Sequence, residues 1–172
     1  MPINTVQQYV KSHLDGMNLP LGLGQVQAYI TPPNPGEAVT PQVFIWGSHG
    51  DETRLTVPRA EYQALSTGGD KTLVHRLDVW VVWFGSTEEP TADAAFPAVI
   101  DALMGVLRNM PLVDAAGNTQ HLTDPVTGQL SQIVKLGENM SWDYGPVRAV
   151  ADQRYLRYDA LINCEVTEII QS

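Results

Sequence analysis

A chain of 172 residues that is 44% hydrophobic and 17% charged can close one core, which excludes a disordered segment or a fibrous repeat. Its formal charge of −9, with only ten basic residues scattered along it, excludes a general affinity for nucleic acid or anionic membrane, because either requires clustered Lys and Arg. One cysteine, Cys164, excludes an intrachain disulfide and a thiolate metal cage. Met1 to Thr5 shows no basic stretch leading into an apolar core, and no run of 18 apolar residues occurs, so a cytosolic protein or a component of a particle assembled there is expected.

From Thr5 to Met17 the apolar residues Val6, Tyr9, Val10, Leu14 and Met17 recur at steps of three and four, the spacing of one helical stripe. Thr5 and Gln8 match a capping box, and Gly16 supplies a stop. Gln25 to Thr31 reads as a strand ended by the cluster Pro32, Pro33, Asn34, Pro35, Gly36, since proline cannot continue a ladder. Gln42 to Trp46 is a short strand, and Gly47 to Asp70 reads as a long polar loop suited to contacts.

Strand propensity peaks at Thr72 to Phe84, with His75, Leu77, Val79, Val81 and Trp83 on one face and Arg76, Asp78, Trp80, Val82 and Phe84 on the other. Bulk on both faces late in this run predicts a central strand whose second half is covered on both sides. Gly85 to Pro90 is a turn, after which Phe96, Val99, Ile100, Leu103, Met104 and Leu107 mark a second amphipathic helix, with Asp93 as its cap so that Pro97 falls in the first turn. Asp114 to Gly128, within a loop region of about 114–131, reads as a second long loop with hairpin character, and Gln132 to Tyr144 as a further strand. From Arg154 onward Leu156, Tyr158, Ala160, Ile162, Cys164 and Val166 alternate with polar residues, the pattern of a long antiparallel strand with one dry face. The whole chain, 1–172, thus reads as one α+β domain, two helices on a mainly antiparallel sheet, with partner subunits or solvent on the sheet's second face.

Chemistry-bearing patterns each fail a requirement. His49-Gly50-Asp51-Glu52 lacks the ligand number and spacing of a divalent-ion loop, and Gly22-Leu23-Gly24 lacks the third glycine and preceding strand of a dinucleotide turn. Gly47-Ser48-His49-Gly50 is one residue short of a nucleophile elbow, and Cys164 lies on the apolar side of its strand, where an inert thiol is expected. Asp78 and Asp159 suit cross-strand pairs with Arg76, Arg154 or Arg157. No metal or cofactor is expected. Trp46 and Trp142, placed at strand ends near the long loops, fit either core or interface.

The run Leu77-Asp78-Val79-Trp80-Val81-Val82-Trp83-Phe84 ahead of an amphipathic helix, the closing run Arg154-Tyr155-Leu156-Arg157-Tyr158-Asp159-Ala160, and the order helix, three strands, helix, two strands resemble the tail terminator family of long-tailed bacteriophages. The segments Pro41 to Gly50 and Asp124 to Gly128 are similar to those of variants from phages of actinobacteria. The resemblance spans Thr5 to Ile170 and rests on element order and texture. It implies a virion protein at the tail-head junction, assembled in the host cytoplasm as a hexameric ring with no catalytic residues. Such a ring caps the tail tube, ends polymerisation of the major tail protein and meets a head-completion, stopper or adaptor protein, while DNA passes its channel without specific binding. Trp46, Arg54, Arg59, Trp142 and Tyr144 are then the candidate contacts between subunits or rings. The alternatives are a head-completion or stopper subunit, expected as a small barrel with fewer helices, and a ligand-binding or enzymatic α+β domain using the His49 to Arg54 loop.

Overall fold

The computed structural model describes residues 3–30, 41–54, 71–86, 91–110, 121–123, 130–136, 140–150 and 155–170. Helix α1 (Ile3–Leu14) leads through a 3-10 turn (Pro20–Gly22) to β1 (Gln27–Tyr29), followed by β2 (Gln42–Arg54), β3 (Lys71–Ser86) and α2 (Thr91–Arg108). The chain then forms β4 (His121–Thr123), β5 (Leu130–Leu136), β6 (Ser141–Tyr144), β7 (Arg148–Val150) and β8 (Tyr155–Ile170). All eight strands belong to one open mixed sheet in the order β1-β2-β3-β8-β5-β4, with β6 and β7 also paired to β8. Among the described residues, only the β1–β2 pair is parallel. The fold is α+β, with two helices on a mainly antiparallel sheet.

The centre is the β3–β8 ladder, continuous from Lys71 opposite Ile170 to Ser86 opposite Tyr155. Directly opposed residues share a face. His75, Leu77, Val79, Val81 and Trp83 therefore stand beside Val166, Cys164, Ile162, Ala160 and Tyr158, and all ten are buried. Helix α1 packs this face over β1, β2 and β3, and α2 packs it over β3 and β8. Val6, Tyr9, Val10 and Leu14 of α1 and Phe96, Val99, Ile100, Leu103, Met104 and Leu107 of α2 fill the interface, as their spacing predicts. At the end of the ladder Trp83, Phe96 and Tyr158 make a ring cluster with centroids 5.5 to 6.3 Å apart.

Several boundaries differ from expectation. Strand β2 runs on to Arg54, so residues 47–54, expected as the start of a loop, are ladder: Gly47 lies opposite Leu77, and His49 to Arg54 lie opposite Arg76 to Lys71. The extra residue, Ser48, is absorbed in a bulge. Long-range pairing with β3 overrides the weak strand propensity of Gly, His and Asp. The single strand expected over Gln132 to Tyr144 is two, β5 and β6, which occupy successive stretches of one edge of β8. The hairpin within 114–131 is present as β4 paired with β5, and the rest of 47–70, residues 55–70, lies outside the described residues. The second half of β3 is fully covered on the helix side only; opposite, Val82 is buried while Trp80 and Phe84 are half-buried.

Helix α1 begins at Ile3, so Thr5 lies inside its first turn instead of capping it, and α2 begins at Thr91, which places Asp93 inside the helix. Pro97 is thus the seventh helical residue. The amide it lacks would have bonded the Asp93 carbonyl, and the exposure of Pro97 puts that lost bond on the solvent side. Gly16, at φ +75°, ends the first helix in the left-handed conformation that glycine adopts without strain.

Two side chains pin α1 to the sheet. Gln7 is buried and donates from Nε2 to the Ile45 carbonyl at 3.0 Å, one residue beyond the last β1–β2 pair, where the short edge strand has run out. Asp15 accepts from the Ala28 amide at 3.0 Å and pairs with Lys11 at 3.0 Å. Replacing Gln7 with Leu keeps the volume and removes the donor, and is expected to cost about 1–3 kcal/mol in urea unfolding.

The Ala28 amide, with Lys11 second, holds the Asp15 carboxyl below its ordinary value of 3.8. A depressed folded pKa favours the ionised folded state, so this stabilisation is complete above pH 3.8 and fades as pH falls through the lower folded value. Stability measured against pH should show Asp15→Asn weaker than wild type at neutral pH, with the gap closing in acid.

Candidate functional site

The face of the sheet turned away from both helices carries a row of rings. Tyr29 of β1, Phe44 of β2 and Trp80 of β3 are cross-strand neighbours on it. Tyr29 stacks on Phe44 with centroids 5.7 Å apart, Phe44 meets Trp80 at 5.5 Å, and Trp46 meets Trp80 at 5.8 Å. Phe44 is buried among them, whereas Trp46 stays 39% exposed. On β8 the Arg157 guanidinium lies 5.4 Å from the Trp80 ring centre, and Asp159 holds it there, accepting from its Nε at 3.1 Å and its Nη2 at 2.9 Å. That ion pair is partly buried and fixes a cation over an aromatic face. Further along, Arg76 donates to Glu165 at 3.1 Å across the β3–β8 pair. The amide oxygen of Gln42, buried on this same face, has no hydrogen-bond partner among the described residues. An acceptor in that state favours contact with a donor brought by water or a partner.

A second apolar patch lies on the helix side, at the opposite edge. Trp142 and Tyr144 of β6 stand opposite Ile162 and Ala160, on the face covered by the helices, yet remain 42% and 49% exposed because they lie beyond α2. Tyr144 approaches Phe96 of α2 edge-on at 6.1 Å. Phe96, Pro97, Tyr144, Val147 and Tyr158 line a cavity of about 220 Å³ between α2, the β6–β7 turn and β8. The turn is drawn onto β8 by the Gly145 amide, which donates to the Asp159 carbonyl at 2.8 Å. A β-carbon at position 145 would sit 3.0 Å from the Asp159 side chain, so glycine permits this approach. Burial first, then the charge of Asp101, pushes the Tyr144 hydroxyl pKa upward, and its hydrogen bond with Trp142 offsets part of that. The hydroxyl is therefore a proton-bearing donor at neutral pH.

The expected contact residues thus separate. Trp46 lies within β2, not at its end, on the helix-free face; Trp142 and Tyr144 lie together on the other. Arg54 is the last residue of β2, and Arg59 lies outside the described residues. Phe44 and Gln42 were not singled out from sequence; Arg157 was expected in a cross-strand pair but meets Asp159 two residues along its own strand, and Arg76 pairs with Glu165. The alternation of Phe44 with Trp46 and of Arg157 with Asp159 was visible, but their convergence on Trp80 depends on cross-strand register.

No protein-family model matches this chain, and no curated protein matches its sequence. Among the described residues, no group of three or more His, Cys, Asp or Glu could hold a metal ion, and no helix is long and apolar enough to cross a membrane. Cys164 is buried against α2's side of the sheet, and desolvation, with Asp78 and Glu165 adding negative charge, pushes its thiol up to about 12. A thiol so placed stays protonated at neutral pH. A maleimide reagent should label Cys164 in the native protein at least about a hundredfold more slowly than in urea, because labelling awaits opening of the core.

Proposed function

We propose that this chain is a structural subunit of the tail-head junction of a long-tailed bacteriophage, a tail terminator that assembles with sister copies into a hexameric ring. In the virion the ring caps the tail tube, ends polymerisation of the major tail protein, and offers its other side to a head-completion, stopper or adaptor protein of the neck. It works by shape and self-association, without a cofactor or catalytic residues. The observation that carries this reading is the helix-free sheet face: a continuous aromatic row with Trp46 exposed and Arg157 held over Trp80 is the composition of an interface core. The two segments that bear the family resemblance meet in the β3–β8 ladder, where Val81–Phe84 of the first pairs with Arg157–Ala160 of the second. The net charge of −9 suits a channel wall past which DNA slides, like charge opposing adhesion.

The open sheet and two helices favour a terminator over a barrel-shaped stopper subunit. Residues 49–54, on which a ligand-binding reading relied as a loop, are paired backbone in β2, which weakens that reading. Native mass measurement of the purified chain should give a closed ring of about six copies that binds the ends of tail tubes. Trp46→Ala should weaken assembly at least about tenfold while leaving the circular dichroism of the subunit intact. A subunit that stays single at every concentration and ignores tail tubes would overturn the proposal.

A further inference from the structure

The cavity beside the β6–β7 turn has the chemistry of a peptide receptor. Tyr144 and Val147, both exposed, border it, with Trp142 hydrogen-bonded to Tyr144 beside it, and Phe96, Pro97 and Tyr158 form its apolar wall. At about 220 Å³ it is smaller than the roughly 300–1,000 Å³ of pockets that enclose a cofactor-sized ligand, so it suits one or two side chains of a chain laid across it. The Trp142 indole N–H is spent on the Tyr144 oxygen, which leaves the Tyr144 hydroxyl hydrogen as a donor at the edge of flat apolar rings. A polyproline segment is the complementary ligand: its rings are apolar, its carbonyls accept, and it brings few amide donors to satisfy. The charge of Asp101 near Tyr144 disfavours an anionic ligand.

This chain contains one such segment. Thr31-Pro32-Pro33-Asn34-Pro35-Gly36 is uncharged and holds a Pro-x-x-Pro run, which favours the extended left-handed conformation that aromatic grooves bind. It follows β1, the edge strand farthest from the cavity. Four strand spacings separate β1 from β6, about 19 Å, and α1 and α2 stand on the intervening face as a layer about 10 Å thick. Tethered at Ile30 and Pro41, the middle of residues 31–40 can extend only about 18 Å from its anchors. Its own cavity is therefore out of reach over the helices, and the same segment of a neighbouring copy is not.

We propose that the Pro32–Pro35 segment of one copy docks in the Phe96–Tyr144–Tyr158 cavity of the next. The donor segment follows β1 at one edge of the sheet and the receptor borders β6 towards the other, so the contact is heterologous, head to tail, the kind that closes into a ring when the rotation between copies closes. The inference deepens the ring reading above and rests on it for the second copy.

The test uses the full chain and an end-capped synthetic peptide of residues 31–36. Tryptophan fluorescence should change saturably with peptide, Tyr144→Ala should abolish the change, and Tyr144→Phe should weaken it by removing the hydroxyl donor alone. In the intact chain Pro32→Ala with Pro35→Ala should weaken assembly at least about tenfold without altering circular dichroism. Rings that form equally well from the proline variant, with no peptide bound, overturn this inference and leave the ring standing. A single subunit that captures the peptide through Tyr144 supports the receptor and overturns the ring. Capture of an unrelated Pro-x-x-Pro peptide but not the chain's own overturns the choice of occupant.

Discussion

Everything in this molecule depends on the register of β3 against β8. The two strands, 16 residues each, pair without interruption, and the alternation of both sequences puts Leu77, Val79, Val81, Ala160, Ile162 and Cys164 on one face. A slip by one residue would send Leu77, Val79, Val81, Ala160, Ile162 and Cys164 to the opposite side and strip the helices of their floor. The ladder also explains why β8 is so long. One of its edges is fully used by β3, while the other is shared in turn by β7, β6 and β5, so a single strand organises most of the sheet.

That division of faces allocates the aromatic residues. Trp83, Phe96, Tyr158 and Tyr9 go to the helix side and complete a dry core. Tyr29, Phe44, Trp46 and Trp80 go to the helix-free side, where rings pack on one another across three strands and an arginine closes the row. Asp159 links the two regions: its side chain orients Arg157 on the helix-free face, and its backbone carbonyl anchors Gly145 at the turn bordering the cavity on the other. One residue thus contributes its side chain to one surface and its backbone to the other.

The partition of interfaces follows from what a two-layer fold leaves uncovered. Two helices are enough to cover the β1–β2–β3–β8 surface on one side, but they stop short of β6 and β7, whose side chains are exposed or nearly so. The open sheet also ends at β1 on one flank. Edge strands and an aromatic face left in this state are hazards for a solitary protein and assets for one of a repeating assembly, because identical copies can bury both in a defined geometry.

What the amino-acid order determined alone was whatever local periodicity records. The stripes Val6–Leu14 and Phe96–Leu107, the alternation of 75–83 and 156–166, and the glycine stop after α1 all stand in the fold as read, because period and turn chemistry are properties of neighbours in sequence. Tertiary structure alone decided what depends on partners far along the chain. Residues 47–54 became strand because β3 offered a ladder, with Ser48 bulged to keep the pairing, and Thr5 and Asp93 were drawn inside their helices. Trp46 and Trp142, alike in sequence context, went to opposite faces because each follows the register of its neighbour strand. The cavity of Phe96, Tyr144 and Tyr158 was equally hidden, since its walls come from three elements whose meeting is a long-range event that no local pattern encodes.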